Sequence, residues 1–88
     1  MLRLWGRMFR DNRLLKDITI DNTEDDTRTH RIFHALDDIC YAWDLGKPIW
    51  LDSNIREFKK HNKTGFYSDS IIEEIDFDYL EISILEEY

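Results

Sequence analysis

The sequence predicts a small α+β domain in which one long and one short helix pack on one face of an antiparallel sheet. Three observations carry this prediction: alternating apolar residues near both ends of the chain, one helical apolar stripe between them, and only one proline and three glycines among 88 residues. Alternation with a period of two is typical of strands, whereas spacings of three and four are typical of helices. We therefore expect residues 1–88 to form one domain with the element order ββαβαβ.

The first two strands are predicted from alternation on either side of a polar turn. Residues 2–9 alternate between an apolar set and a set of arginine and aromatic residues. Residues 10–13, with the sequence RDNR, carry Asp and Asn side chains that favour a tight turn. Residues 14–20 then form the second strand of a hairpin. The register of this strand stays open, because Leu15 lies on the opposite parity from the other apolar residues.

A long helix is predicted over residues 27–45. Its apolar side chains follow the spacing of a single helical face: Ile32, Phe33, Leu36, Ile39, Cys40 and Trp43. Asp26 or Thr27 supplies the N-terminal cap, because short polar side chains accept hydrogen bonds from the free amides of a first turn. Gly46 fits the left-handed position that follows many helices, and Pro48 cannot continue a helix.

The remaining elements are shorter. Residues 48–51 are long enough only for a short edge strand or an extended link, and the leading proline is tolerated in an edge strand because it lacks an amide donor. Residues 52–61 form a short helix whose first or second side chain, Asp or Ser, caps it. Residues 66–78 are compatible with one more helical turn or with an extended segment. Residues 79–85 alternate and predict a final strand with one buried face.

Charge is segregated along this acidic chain. The formal net charge is −7, which argues against nucleic-acid binding, because a phosphate backbone would be repelled. Membrane-surface binding normally needs a basic face. The first hairpin is basic, whereas residues 66–88 contain no Lys or Arg. Because opposite charges on neighbouring strands stabilise a sheet, we expect the C-terminal strand to pair with the N-terminal hairpin.

Cysteine usage and the absence of motifs exclude several classes of protein. Cys40 is the only cysteine, so no intrachain disulfide forms, and arginines interrupt the N-terminal apolar residues as no signal peptide or membrane span would allow. We therefore expect a cytoplasmic protein with a reduced thiol and no membrane contact. Cys40 lies on the apolar stripe, where a buried hydrophobe is expected rather than a nucleophile. No phosphate loop, nucleotide fingerprint or nucleophile elbow is present, so we predict no cofactor and no catalytic residue.

One face of the first strand is the leading candidate for function. Arg3, Trp5, Arg7 and Phe9 share this face, and a small sheet with helices on one side cannot bury both of its faces. Aromatic and Arg side chains are typical anchors of protein interfaces. Alternatively, the arginines lie over partly buried rings within a monomer. We predict a non-enzymatic domain that binds a protein partner or itself through these four residues, most simply as a homodimer.

A metal site on the long helix is the alternative function. Asp26, His30, His34 and Asp38 recur every four residues and therefore stack along one helix face. Two imidazoles four residues apart can reach one metal ion, and a carboxylate one turn away can complete the set. This spacing predicts a candidate site at His30, His34 and Asp38. The competing interpretation is a solvated polar face, since this stripe lies opposite the apolar one.

Four segments resemble a group of short bacterial proteins that have no established activity. These segments are DDTRTH at residues 25–30, ALDDIC at 35–40, KPIWLDSN at 47–54 and IDFDYLEI at 75–82. The resemblance covers nearly the whole chain. It implies a bacterial, cytoplasmic setting and implies nothing about chemistry.

Overall fold

The computed structural model describes residues 1–87 and contains a four-stranded antiparallel sheet with two helices on one face. Six elements follow one another along the chain: β1 Leu2–Arg10, β2 Arg13–Asn22, α1 Arg28–Ala42, α2 Asp52–His61, β3 Lys63–Phe66 and β4 Tyr79–Glu87. Across the sheet, the strand order is β2-β1-β4-β3. The predicted α+β class, with one long and one short helix on an antiparallel sheet, is confirmed.

The first hairpin closes through a two-residue turn. Asp11 and Asn12 both have left-handed backbones, with φ angles of 53° and 62°. Two successive left-handed residues give the turn whose twist matches that of antiparallel strands, and Asp and Asn tolerate this conformation. The RDNR turn predicted from the sequence is therefore the connection between β1 and β2.

A bulge in β2 explains why its register was open from the sequence. Opposite Met8 and Phe9 of β1, the partner strand supplies three residues, Leu14, Leu15 and Lys16. The extra residue, Leu15, interrupts the alternation of β2. The bulge shifts the alternation by one residue, so residues before and after it that face the same way lie on different parities in the sequence.

The predicted pairing of the basic hairpin with the acidic C-terminal strand is confirmed. β4 pairs with β1 along nearly its whole length, with Arg3 opposite Glu86 and Arg7 opposite Glu81. Both pairs form salt bridges. The segregated charges of the sequence thus mark two strands that are neighbours in the sheet.

The core lies between α1 and one face of the sheet, called here the inner face. The buried hydrophobic strand side chains on this face are Leu2, Leu4, Met8, Phe66, Leu80 and Ile82. Buried α1 residues are Ile32, Ala35, Leu36, Ile39 and Cys40. A Cβ atom at Gly6 would lie 2.8 Å from the Ile39 side chain, so the missing side chain lets α1 approach β1 closely.

The C-terminus of α1 differs from the prediction. The helix ends at Ala42, and the left-handed residue after it is Asp44, with a φ of 53°, rather than Gly46. The Leu45 amide donates to the Cys40 carbonyl at 2.8 Å, which satisfies a free carbonyl of the last turn. Aspartate can replace glycine here because its short side chain tolerates the left-handed region.

Residues 48–51, for which the sequence allowed either a short edge strand or an extended link, form the link. This segment is irregular, and the short edge strand is β3, which follows α2 directly. Asn62, with a left-handed φ of 57°, turns the chain from α2 into β3. Trp50 instead packs edge-on against Phe58 and Phe66, with ring centroids 5.7 Å and 5.1 Å away. Burying this large ring decides the course of the segment.

The cap of α2 also differs from the prediction, which placed it at Asp52 or Ser53. Leu51 is the capping residue, and its amide donates to Asn54 Oδ1 at 3.0 Å. The buried Asn54 side chain also donates to the Thr64 hydroxyl at 2.9 Å. Asn54, a residue of the first turn, therefore ties α2 to β3. Asp52 does not cap the helix, but its negative charge interacts favourably with the positive end of the helix dipole.

Residues between β3 and β4 contain one tight helical turn, Ser68–Ser70, and are otherwise irregular. Ile71 and Phe77 of this segment are buried in the core. Within residues 1–87, no helix is long and apolar enough to cross a membrane.

Candidate functional site

The sheet surface opposite the helices, called here the outer face, is formed by alternate residues of all four strands. Strand register places on it Arg3, Trp5, Arg7 and Phe9 of β1; Leu14, Asp17, Thr19 and Asp21 of β2; Lys63 and Gly65 of β3; and Tyr79, Glu81, Ser83 and Glu86 of β4. The four residues predicted for interaction therefore lie together on a central strand. Each of the four is partly exposed, because both helices pack on the inner face.

Stacked side chains form a continuous row over the outer face. The ring of Tyr67, just after β3, lies 4.9 Å from that of Tyr79, which lies 5.0 Å from Phe9. The Arg7 guanidinium continues the row, 5.4 Å from the Phe9 centroid and 4.1 Å from the Trp5 centroid. Ring stacking and cation–π contacts stabilise such a row beyond simple burial. Arg7 thus lies over the rings, while the opposite side of the row faces no element of residues 1–87.

Polar partners fix Arg7 and Trp5, the last two side chains of this row. The Arg7 guanidinium forms a salt bridge with the Glu81 carboxylate, and these side chains are 24% and 22% exposed. Trp5 Nε1 donates to the Asp17 carboxylate at 2.9 Å. Because both β2 and β4 supply a carboxylate, the middle of the outer face is held in place from both sides.

Arg3 forms a second, more exposed group at the other end of the face. Its Nε donates to Asp21 Oδ1 at 2.7 Å, and its Nη1 lies 3.3 Å from Glu86 Oε1. The hydrogen bond from Arg3, with its positive charge, lowers the pKa of Asp21 below the ordinary value of an aspartate. Asp21 therefore stays ionised beside Arg3 at neutral pH.

The residues predicted for a metal site are only partly brought together. Ligand atoms of Glu24, Asp26 and His34 lie within 4.8 Å of one another. His34 Nδ1 is 3.0 Å from Glu24 Oε2, and His30 Nδ1 is 3.0 Å from Asp26 Oδ1. Asp38 is exposed and does not belong to this group, because it lies one helical turn beyond His34, away from the acidic loop.

Local structure before α1 holds the loop carboxylates in position. The buried Asn22 donates from Nδ2 to Glu24 Oε1 at 2.9 Å and accepts the Glu24 amide at 3.0 Å. Thr27 caps α1 as predicted, accepting the His30 amide at 3.2 Å. Hydrogen bonds from the Thr27 amide and then from His30 lower the pKa of Asp26. Glu24 was not among the residues predicted from the sequence, because it lies outside the four-residue stripe. The sequence feature that could have indicated it is Asn22, two residues earlier, whose side chain holds the Glu24 carboxylate.

Cys40 has the environment of a core residue. Its side chain is buried beneath α1, and this burial raises the pKa of the thiol to about 11, with further increases from Asp37 and Glu73. The thiol is therefore neutral at physiological pH, whereas a nucleophilic cysteine needs an accessible thiolate.

An apolar groove between α1 and α2 was not predicted. It has a volume of about 230 Å³ and is lined by Arg28, Thr29, Ile32, Phe33, Trp50, Ile55, Phe58 and Lys59. Phe33, which the apolar stripe placed in the core, is 40% exposed because it lines this groove. The groove is smaller than the cavities that usually enclose a drug-sized ligand.

Comparisons with protein-family models, with curated proteins and with solved structures find no match for this chain. The resemblance to short bacterial proteins stays a prediction. The outer face and the acidic–histidine group are therefore interpreted from their own geometry.

Proposed function

We propose that this protein is a non-enzymatic domain that self-associates, with two copies stacking their outer faces. The observation that carries the proposal is the row of Tyr67, Tyr79, Phe9, Arg7 and Trp5 on a sheet face that neither helix covers. Aromatic and Arg side chains are enriched at the centres of protein interfaces, where they supply most of the binding energy. We propose a cytoplasmic setting, on the basis of the single thiol and the resemblance noted above.

The charges of the outer face favour a second copy as the partner. It carries cations and carboxylates in similar number: Arg3, Arg7 and Lys63 against Asp17, Asp21, Glu81 and Glu86. Most of the chain's net charge of −7 therefore lies elsewhere. A surface of mixed sign can meet itself across a two-fold axis, with arginines opposite carboxylates, whereas a strongly basic or acidic partner would gain little.

The existing ion pairs lower the cost of covering the face. Arg7 is already paired with Glu81, and Arg3 with Asp21. Burying a charge that has a partner costs far less than burying one without. Two copies can therefore cover these four residues without leaving any of their four charges unpaired.

The dimensions of the face set the expected strength of association. Four strands of nine, ten, four and nine residues, about 4.8 Å apart and rising about 3.4 Å per residue, give a face of roughly 500 Å². Two such faces bury about 1,000 Å² in total, which is close to the lower limit for a specific interface. We therefore expect a reversible dimer with a micromolar dissociation constant rather than an obligate one.

Sedimentation velocity over a concentration series tests the proposal. Wild-type protein between about 5 µM and 500 µM should show a weight-average sedimentation coefficient that rises from the monomer to the dimer value. Thr19→Lys adds a long charged side chain beside Trp5 on the exposed part of β2 and should weaken association at least about tenfold. In parallel, the indole N–H resonance of Trp5 should shift with concentration in the wild type.

Thr29→Lys on α1 is the matched control, because it makes the same change at an exposed threonine away from the sheet. Both variants have the same net charge, so a difference between them reports position alone. A wild type that stays monomeric throughout the series would overturn the proposal. Equal weakening by both substitutions would do so as well, since it would place the contact outside the outer face.

A further inference from the structure

We propose that Glu24, Asp26 and His34 form a binding site for one divalent metal ion of the zinc class. The inference is independent of self-association, because these residues belong to the loop before α1 and to α1 itself rather than to the outer face. It replaces the helical set His30, His34 and Asp38 with a set that combines loop and helix.

The donor atoms are already close to a coordinating arrangement. A zinc ion bound at about 2.0–2.2 Å from each donor requires donors about 3.4 Å apart in a tetrahedral site. His34 Nδ1 and Glu24 Oε2 are 3.0 Å apart, and all three ligand atoms, Asp26 included, lie within 4.8 Å of one another. Small side-chain rotations therefore bring the three donors around one ion, with water completing the shell.

Each of the two carboxylate ligands is held by a neighbour that leaves a donor atom available. Asn22, itself buried, binds Glu24 Oε1 and thereby directs Oε2 towards His34. His30 contacts Asp26 Oδ1 at 3.0 Å and orients that carboxylate when its Nδ1 carries the proton. Such hydrogen-bonded partners behind the ligands are a regular feature of metal sites.

The chemistry of the donors selects the ion. One imidazole nitrogen with two carboxylate oxygens suits Zn²⁺, Co²⁺ and Ni²⁺, whereas Ca²⁺ and Mg²⁺ prefer shells made of oxygen alone. Coordination through His34 Nδ1 requires its lone pair, so binding places the imidazole proton on Nε2. The positive end of α1 is unfavourable for a cation here, but the His30 amide of the first turn already donates to Thr27, and the two carboxylates outweigh the remaining dipole.

Isothermal titration of the untagged protein with zinc chloride tests the site, and cobalt absorption provides an optical readout of the ligand geometry. Wild-type protein should bind one Zn²⁺ per chain. Loss of a partner that only orients a ligand costs about 10–100-fold in metal affinity, so we expect about tenfold for His30→Ala. Loss of a ligand costs more, so His34→Ala and Glu24→Gln should each weaken binding at least about 100-fold.

Two control variants separate this site from other binding. His61→Ala removes the remaining histidine, at the end of α2, and Asp38→Asn removes the carboxylate of the helical stripe; both should bind Zn²⁺ like the wild type. Circular dichroism checks that each variant is folded. No heat from the wild type, equal heat from wild type and His34→Ala, or a loss in Asp38→Asn as large as in Glu24→Gln would each overturn the proposal.

Discussion

The inner and outer faces of β1 are built from alternate residues of one nine-residue strand, yet they differ in almost every physical property. On the inner face, Leu2, Leu4 and Met8 are at most 5% exposed and pack beneath α1. On the outer face, every side chain is partly exposed and is held by a ring, a carboxylate or both.

The two faces therefore have different roles: the inner face specifies the fold, and the outer face is available for function. Apolar burial stabilises by about 25 cal/mol per Å² and tolerates no misplacement, so the inner face fixes the position of α1. Exposed pairs contribute much less, about 0–1 kcal/mol each. The outer face can therefore carry a binding surface at little cost to folding.

The largest effect is expected on the inner face. Leu4→Ala should lower the free energy of unfolding by about 3 kcal/mol, because it removes a fully buried side chain and leaves a cavity beneath α1. Leu14→Ala removes the same side chain on the outer face, where it is 49% exposed, and should cost less than about 1 kcal/mol. Urea denaturation of both variants measures the difference. Equal losses in the free energy of unfolding would contradict the proposal that the inner face contributes most of the stability.

A smaller effect is expected at the centre of the outer face. Arg7→Ala uncovers the rings of Trp5 and Phe9 and leaves the partly buried Glu81 without its salt bridge, so it should cost about 1–2 kcal/mol. Arg3→Ala breaks more exposed pairs and should cost less than about 1 kcal/mol.

Urea denaturation at low and high salt distinguishes packing from charge in the two arginine variants. The Arg3 contribution should shrink as salt screens it, whereas the Arg7 contribution should persist because part of it is ring contact. If Arg3→Ala proved the more costly of the two, the row over the outer face would not be its stabilising feature.

The fold was predictable where a pattern in the sequence itself decides the structure. Alternation predicted β1, the Asp11–Asn12 turn predicted the hairpin, and segregated charge predicted the partner of β4. Open alternatives and errors arose where tertiary contacts decide. Trp50 packs against Phe58 and Phe66, so residues 48–51 run as a link and not as a strand, and no local pattern in the sequence predicts these ring contacts.

The candidate sites show the same limit. The outer-face residues were predictable because they repeat along one strand, so spacing alone places them together. Glu24 was not predictable, because a loop that folds back on a helix has no sequence period. Asp38 was included because it follows the four-residue period of the helix, although it lies outside the observed group. Asp44 shows the error at a single residue: glycine is only the commonest left-handed cap, and another short polar residue can take its place.

The smallest expected effect lies at the exposed end of the outer face, in the titration of Asp21. Its pKa in the folded chain is lowered from the ordinary value of 3.8 by the hydrogen bond from Arg3, so ionised Asp21 stabilises the fold above that value. This stabilisation is lost as the pH falls through the folded-state pKa. NMR titration of the Asp21 carboxyl carbon should give a midpoint below 3.8 in the wild type and a higher one in Arg3→Ala.

Arg10→Ala is the matched control for this titration, because Arg10 is an arginine of the same strand that donates to the Asp76 carbonyl and not to Asp21. An unchanged Asp21 midpoint in Arg3→Ala would contradict the assignment. The shift is expected to be small because both partners are exposed and solvent screens them. If the Asp21 midpoint moves while the free energy of unfolding at neutral pH hardly changes, the ion pair contributes little to stability, as expected for an exposed pair on the outer face.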